Sequence, residues 1–222
     1  MIKYFSKDLR SARLVLKHLE PNIQNAKIIF AALKNENPQD YKYEPLMKTP
    51  KILPTSVSDT LKMMQYHAES EKNDACIFYI FHNSQFIGVR KISFYKENLS
   101  LKLNTVWLLS NARGHGFAAE SYRAIEEIAF NKLKVNKIMR VNIVENKDSA
   151  KLAEQTGFIL DGVSRQAVYM NKKFYDLMTW SKLYSDYLKA LVLGQFQISA
   201  QVLAGLGILF QSIIGFSSPI IG

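Results

Sequence analysis

Cysteine is almost absent from this 222-residue sequence, which has only Cys76. An intrachain disulfide is therefore excluded, and a lone thiol in the apolar run 75–81 reads as a buried structural group suited to a reducing compartment. Four histidines, His18, His67, His82 and His115, are scattered without metal-ligand spacing, so no metal site is expected. The first ten residues carry Lys3, Lys7, Asp8 and Arg10 without a continuous apolar core, and no secretory leader is expected there. Internal repeats and low-complexity tracts are missing, as are helix-turn-helix, zinc-finger and RNP signatures. Acidic residues are in deficit, 19 against 29 Lys and Arg, for a net charge of +10. That excess suits an anionic ligand or an acidic surface, but without a nucleic-acid motif most of the lysines read as solvated basic surface.

What is present describes a globular chain with a sizeable core, 48% hydrophobic and 22% charged. Its organising stretch is Thr105–Ala129: an apolar strand, a glycine-containing turn, then an amphipathic helix. Ala118, Tyr122, Ile125, Ile128 and Ala129 share one helical face. In the turn, Arg113-Gly114-His115-Gly116-Phe117-Ala118, two glycines let backbone N–H groups converge without Cβ interference. Unpaired donors at a helix start favour an anion, so a phosphate or pyrophosphate is expected. Gly114-x-Gly116-x-x-Ala119 also matches the dinucleotide fingerprint, which requires a parallel strand–helix–strand unit around it.

Along the chain, 13–17 reads as a first strand and 22–34 as a helix with Ile23, Ala26, Phe30 and Leu33 inward. Four prolines, Pro38, Pro45, Pro50 and Pro54, make 35–54 a loop, and its Tyr41, Tyr43, Leu46 and Met47 suit a segment folded over something. Ser56 or Ser58 caps a helix running to Glu69, with Val57, Leu61, Met64 and Ala68 inward. A hairpin of 75–82 and 86–95 turns at Asn83-Ser84-Gln85, and 99–109 completes the meander. Strand 137–144 sets Ile138, Arg140, Asn142 and Val144 against Met139, Val141 and Ile143. A short helix capped by Asn146 or Asp148 stops at Gly157, with Phe158 folding back, and two strands, 158–170 and 173–183, finish the domain. The order β-α-α-β-β-β-α-β-α-β-β is an α+β (mixed α/β) fold, a meander giving way to crossovers. That order disfavours the dinucleotide reading, although Glu145 stands at a strand end, where such a domain keeps an acidic residue.

Two linked motifs carry a family resemblance. Trp107-Leu108 followed by Arg113-x-x-Gly116-x-Ala118, with Asn146-x-x-Ser149, Gly157-Phe158-x-x-Asp161-Gly162 and Asp176 downstream, resembles the GNAT N-acetyltransferases of the RimJ/RimL type, the ribosomal-protein N-terminal acetyltransferases. The resemblance covers about 10–186 in element order and implies a GNAT fold, a central mixed, mostly antiparallel sheet flanked by helices. It implies acetyl transfer from acetyl-CoA to a primary amine, such as the α-amine of a ribosomal or other protein N-terminus, or alternatively a polyamine, aminoglycoside or aminoacyl nucleotide. Arg113, Gly114, His115, Gly116, Phe117 and Ala118 would hold the pyrophosphate. Leu108, Leu109 and Ser110 would pair with the pantetheine arm like an added strand, and Asn146 would contact the cofactor. A backbone N–H near Val144 would polarise the thioester carbonyl, and Ser149 would serve the departing thiolate while also capping its helix. For the base, Val168 stands where relatives often carry Glu, and the relatives' E-I-G-Y becomes Leu103-Asn104-Thr105-Val106. The resemblance leaves three options: a water relayed by Glu145 or Asp176, an acceptor with lowered pKa, or acetyl-CoA binding without efficient catalysis. The acceptor is expected against 41–47 and near Phe94-Tyr95.

Domain organisation is read as 1–186 for the acetyltransferase domain and 187–222 for an apolar C-terminal tail. No charged residue occurs in 190–222, and 198–216 approaches the ~20 residues of a membrane span. Lys182 and Lys189 upstream suit a cytoplasmic domain. Three readings stand for the tail: a membrane anchor facing the cytoplasm, a helix docked on protein, or an extension of little function.

Overall fold

A computed structural model describes residues 5–41, 53–71, 75–170 and 172–192. The chain divides into two compact units, Met1–Leu183 and Tyr184–Gly222. Of the second, residues 184–192 are described and are helical. The apolar tail proper lies outside the described residues, and among those described no helix is long and apolar enough to cross a membrane.

The first unit is a single sheet of eight strands with helices on it. The strands are β1 (Leu9–Arg10), β2 (Leu14–Lys17), β3 (Ala75–His82), β4 (Gln85–Tyr95), β5 (Ser100–Leu108), β6 (Lys137–Ile143), β7 (Ile159–Met170) and β8 (Lys173–Leu183), in the spatial order β1-β2-β3-β4-β5-β6-β8-β7. Helices α1 (Ile23–Leu33) and α2 (Val57–Glu71) precede β3, while α3 (Phe117–Asn131) and α4 (Lys147–Gln155) flank β6. The element order matches the sequence reading, with the two-residue β1 added. Every strand pair is antiparallel except β5 and β6, which is not the parallel sheet that a dinucleotide domain requires.

Local chemistry explains most boundaries. Asn83 and Ser84 both adopt positive φ, 47° and 63°, so a two-residue turn closes the β3–β4 hairpin between His82 and Gln85. Asn22 caps α1 by accepting the Asn25 N–H at 2.9 Å. Gly157 takes φ 78° after α4, the Phe158 N–H reaches back to the Ala153 carbonyl and the Gly157 N–H to that of Glu154. This double closure buries Phe158 against Tyr122, ring centres 5.2 Å apart.

Three helical faces differ from the periodicity reading. In α1, Ala26, Ile29 and Leu33 are buried, while Ile23 lies open at 60% exposure. In α2 the inward residues are Thr60, Met63, Met64 and His67 rather than Val57, Leu61 and Ala68, because the His67 ring turns inward to meet the Tyr79 hydroxyl. In α3 the buried face includes Ser121 and Glu126, with Ala118 and Ile128 only half-buried. Glu126 is tolerated there because it accepts from Tyr122 at 2.6 Å and forms an ion pair with Lys182, also buried.

Candidate active site in the splayed sheet

The parallel pairing of β5 with β6 lasts only four residues, from Ser100↔Lys137 to Leu103↔Arg140. A register shift beside Asn104, opposite Lys91 and Ile92 of β4, bends β5 at that point. Beyond it the two strands diverge and leave a cavity of about 200 Å³. Asn104, Thr105 and Val106 line one wall, Arg140, Asn142 and Ile143 the other, and Asn146 and Ser149 of the α4 start close it. Thr105 also borders a smaller recess of about 20 Å³ with His67, Lys91 and Trp107. The cleft thus lies against the α4 start and borders a recess at α2.

The glycine turn lies at the end of the same β5 strand. Gly114 and Gly116 both adopt φ 77°, and Gly116 is the N-cap of α3. The N–H groups of Gly114 through Ala118 make no hydrogen bond among the described residues. A Cβ on Gly114 would meet nothing within 4 Å. Arg13 of the β1–β2 turn stabilises this loop. Its Nη2 donates to the His115 carbonyl at 3.1 Å, its Nε donates to Glu120 at 2.7 Å, and its guanidinium lies 4.6 Å from the Phe117 ring centre. Burial would raise the Glu120 carboxyl, but donors from Ser11 and Arg13 outweigh it and hold the group below the usual range.

Leu108, Leu109 and Ser110, expected to offer backbone to a pantetheine arm, are engaged within the protein. The Leu109 N–H donates to Ile87, the Leu108 carbonyl accepts Arg113 Nε at 3.1 Å, and the Ser110 N–H donates to Glu36 at 2.9 Å. Arg113 also lies over Tyr41, whose hydroxyl donates to Glu36. Burial and the Glu36 carboxylate push that hydroxyl's pKa up. The rest of the segment expected to face the acceptor, 42–47, lies outside the described residues.

Ser149 and Asn146 come together as the motif spacing implied. Asn146 Oδ1 accepts the Ser149 N–H at 3.1 Å, which starts α4, and both side chains border the cavity. The Val144 N–H, expected to polarise a carbonyl, donates instead to the Asp176 carbonyl at 3.0 Å, so this donor is already used. Glu145 and Asp176 do not border the cavity, and no carboxylate does among the described residues. Glu145 pairs with Lys173 across 3.6 Å on the surface, and Asp176 Oδ1 accepts the Gln166 N–H at 2.8 Å. Neither is brought to the cleft.

Sequence reasoning missed the buried polar side chains of the cleft. Arg90 is 2% exposed, its Nη2 donating to the Ala118 carbonyl at 2.8 Å and its Nε to Ser121 at 3.0 Å. Arg140, 8% exposed, donates to Ser149 Oγ at 2.9 Å and to the Ser149 carbonyl at 3.2 Å. Burial and mutual repulsion press Arg90 down to about 9, and burial presses Arg140 to about 10. Asn142 accepts from Trp180 Nε1 at 2.7 Å and donates to the Ile143 carbonyl. Asn104 Oδ1 is buried with no partner among the described residues. The signal was available in β6, where strand alternation puts Arg140 and Asn142 on one face with Ile138.

A mixed sheet opened between its one parallel pair, with free N–H groups at a glycine turn alongside, defines a class: a fold that seats an extended, anion-bearing cosubstrate through its sheet. The chain belongs to the GNAT acetyltransferase domain family, whose model matches residues 13–159. Escherichia coli (strain K12) ribosomal-protein-serine acetyltransferase is 26% identical over 131 residues, 58% of this chain and 72% of that protein. Bacillus subtilis (strain 168) YdaF is 27% identical over 81 residues, 36% of this chain; that match spans less than half of YdaF, 44%. Among solved structures, RimL, the ribosomal L7/L12 α-N-protein acetyltransferase, in complex with coenzyme A superposes with a TM-score of 0.66 at 19% identity. That superposition covers 79% of this chain and 97% of RimL.

The site suits such a cosubstrate. Gly114 leaves room for a phosphate against the free N–H groups, and the buried Asn104 oxygen offers an acceptor to an amide in the cleft.

Proposed function

We propose that this protein transfers the acetyl group of acetyl-CoA to a primary amine, with the α-amine of a protein N-terminus of the ribosomal-protein type as acceptor. The carrying observation is the cleft between β5 and β6, which opens beside the unpaired N–H groups of 114–118. Acetyl-CoA supplies the activated acetyl group as a thioester. The N–H groups of 114–118 bind its pyrophosphate, and the diverging β5 and β6 edges enclose the pantetheine arm. Ser149 faces the sulfur from the start of α4. The amine enters from the recess at α2, where Thr105 borders both spaces.

Charge supports the choice of acceptor class. Arg90, Lys102 and Arg140 border the cavity, and no carboxylate does among the described residues. A polyamine or aminoglycoside brings several positive charges to that wall and is disfavoured, whereas a peptide N-terminus brings one amine and neutral amides. The low-identity E. coli relative supports the same choice. With no carboxylate among the described residues of the cleft wall, the attacking amine arrives neutral or loses its proton through water.

Calorimetry on the full chain tests the cosubstrate. Acetyl-CoA is expected to bind, NAD is expected not to, and Gly116→Trp is expected to abolish the acetyl-CoA signal. NAD binding without acetyl-CoA binding overturns the reading. A panel of peptides and polyamines assayed for acetyl transfer tests the acceptor, and turnover of polyamines alone overturns the peptide assignment.

A further inference from the structure

Two buried guanidinium groups, Arg90 and Arg140, border the cleft, and no carboxylate borders it among the described residues. Neither Arg90 nor Arg140 has a carboxylate within ion-pair distance among the described residues. Their partners are neutral: the Ala118 carbonyl and Ser121 hydroxyl for Arg90, the Ser149 carbonyl and hydroxyl for Arg140. Burying a guanidinium without a counter-ion is costly, and a fold that keeps two of them at one cavity suits a negative charge that arrives there. Arg90 also fixes the first turn of α3. Arg140 likewise reaches the first turn of α4, but both its hydrogen bonds go to one residue there, Ser149.

That pairing constrains the serine. Arg140 Nη2 donates into Ser149 Oγ at 2.9 Å, and the Ser149 N–H is fixed on Asn146 Oδ1. One lone pair of the hydroxyl is thus occupied, and its hydrogen finds no acceptor among the described residues, although the side chain borders the cavity. A donor fixed on the oxygen of a hydroxyl polarises it and strengthens the bond its hydrogen can give.

We propose that Arg140 is the positioning residue for the leaving group: it holds and polarises Ser149 so that the hydroxyl donates to the coenzyme A sulfur as it becomes a thiolate. This inference rests on the acetyl-CoA reading above. In the transfer, the amine nitrogen forms the new C–N bond, the C–S bond breaks with its electrons going to sulfur, and the surplus proton on nitrogen passes to water. Ser149 keeps its proton and gives a hydrogen bond. The other groups facing this point are Arg90 from β4, Tyr122 from α3 and Lys102 from β5, with Phe158 stacked 5.7 Å from the Arg140 guanidinium.

The test needs no acceptor. The full chain is loaded with free coenzyme A, and the ionisation of the bound thiol is followed by ultraviolet thiolate absorbance across pH. The wild-type complex is expected to ionise ~1 pH unit below free coenzyme A, about tenfold in the ionisation constant. Ser149→Ala and Arg140→Gln should each remove most of that shift while coenzyme A still binds. Arg140→Lys, which keeps the charge, should restore part of it. Ser149→Ala combined with Arg140→Gln should lose no more than Ser149→Ala alone, because one residue acts through the other. A bound thiol that ionises like free coenzyme A overturns the proposal and leaves the acetyl-CoA reading standing, as does a shift unchanged in Arg140→Gln. Absence of coenzyme A binding to the wild-type chain overturns both. If Arg140→Gln fails to fold, Ser149→Ala and Arg140→Lys still decide, since a wild-type shift retained in Ser149→Ala overturns the proposal.

Discussion

Glu36 grips Ser110 twice, one carboxylate oxygen accepting the Ser110 N–H and the other its hydroxyl, each at 2.9 Å. The residues lie 74 positions apart, and the contact joins the turn after α1 to the entry of the glycine loop. A ligand pairing with the backbone at Ser110 must displace this carboxylate, which also repels a polyphosphate at 114–118. Glu36→Gln is therefore expected to tighten acetyl-CoA binding several-fold, on the order of 1 kcal/mol, while lowering thermal stability. Calorimetry and thermal melting read both effects. Weaker binding in Glu36→Gln would instead make the carboxylate an organiser of the loop.

Gly88 of β4 lies tight against β5. A Cβ there would lie 2.2 Å from the Trp107 carbonyl oxygen and 2.8 Å from Leu108 Cδ2. The backbone cannot yield without moving the β5 segment that borders the cleft. Gly88→Ala is expected to cost at least about 1–3 kcal/mol in urea unfolding and to weaken acetyl-CoA binding. Gly162→Ala, whose Cβ meets nothing within 4 Å, is the matched control and should be close to neutral.

How much of this was legible depended on the range of the interaction. The Asn146–Ser149 cap, the Gly157–Phe158 closure and the glycine turn are local, each set by residues within a few positions, and the sequence motifs placed them. The cleft is not local. Its opening depends on β5 and β6 parting after Leu103 and Arg140, and strand propensity carries no information about where pairing stops. Arg90 and Arg140 read as strand residues of ordinary polarity until the sheet stacks them under α3 and α4. The partner of the Val144 N–H was hidden for the same reason, since the Asp176 carbonyl comes from a strand formed 32 residues later.

His67 supplies a pH signature. Its Nδ1 lies 2.9 Å from the Tyr79 hydroxyl, and burial, with the charge of Lys91 adding, presses it down to about 4. The unfolded chain takes up a proton near the ordinary 6.5, whereas the folded chain resists until about 4. Stability is therefore complete above the unfolded value and is lost as pH falls through the window between them, with no further loss from this group below it. The upper bound is about 3–4 kcal/mol at ~1.4 kcal/mol per pH unit. Urea midpoints measured through that window should fall in the wild type and flatten in His67→Gln. Glu71, held below the usual carboxylate range because donors from His18 and Ile77 outweigh burial, adds its own loss only at the acidic end.

Asp176 separates a structural carboxylate from a catalytic one. Its Oδ1 accepts the Gln166 N–H at 2.8 Å, where Gln166 takes φ 49° inside the β7 register shift between Ser164 and Val168. A carboxylate pinned on a bulge and off the cavity wall holds strand geometry. Asp176→Asn retains an acceptor oxygen and should keep stability and acetyl transfer close to wild type. Asp176→Ala leaves the Gln166 N–H without its partner and should lose about 1–2 kcal/mol of stability, with kcat/KM reduced modestly and its pH profile unchanged in shape. A base would give the opposite pattern. Asp176→Asn would then fold normally and lose acetyl transfer by orders of magnitude, with the acidic limb of the pH profile removed. Pairing the two variants is decisive because stability and rate must move apart if the carboxylate takes a proton, and together if it only holds the bulge.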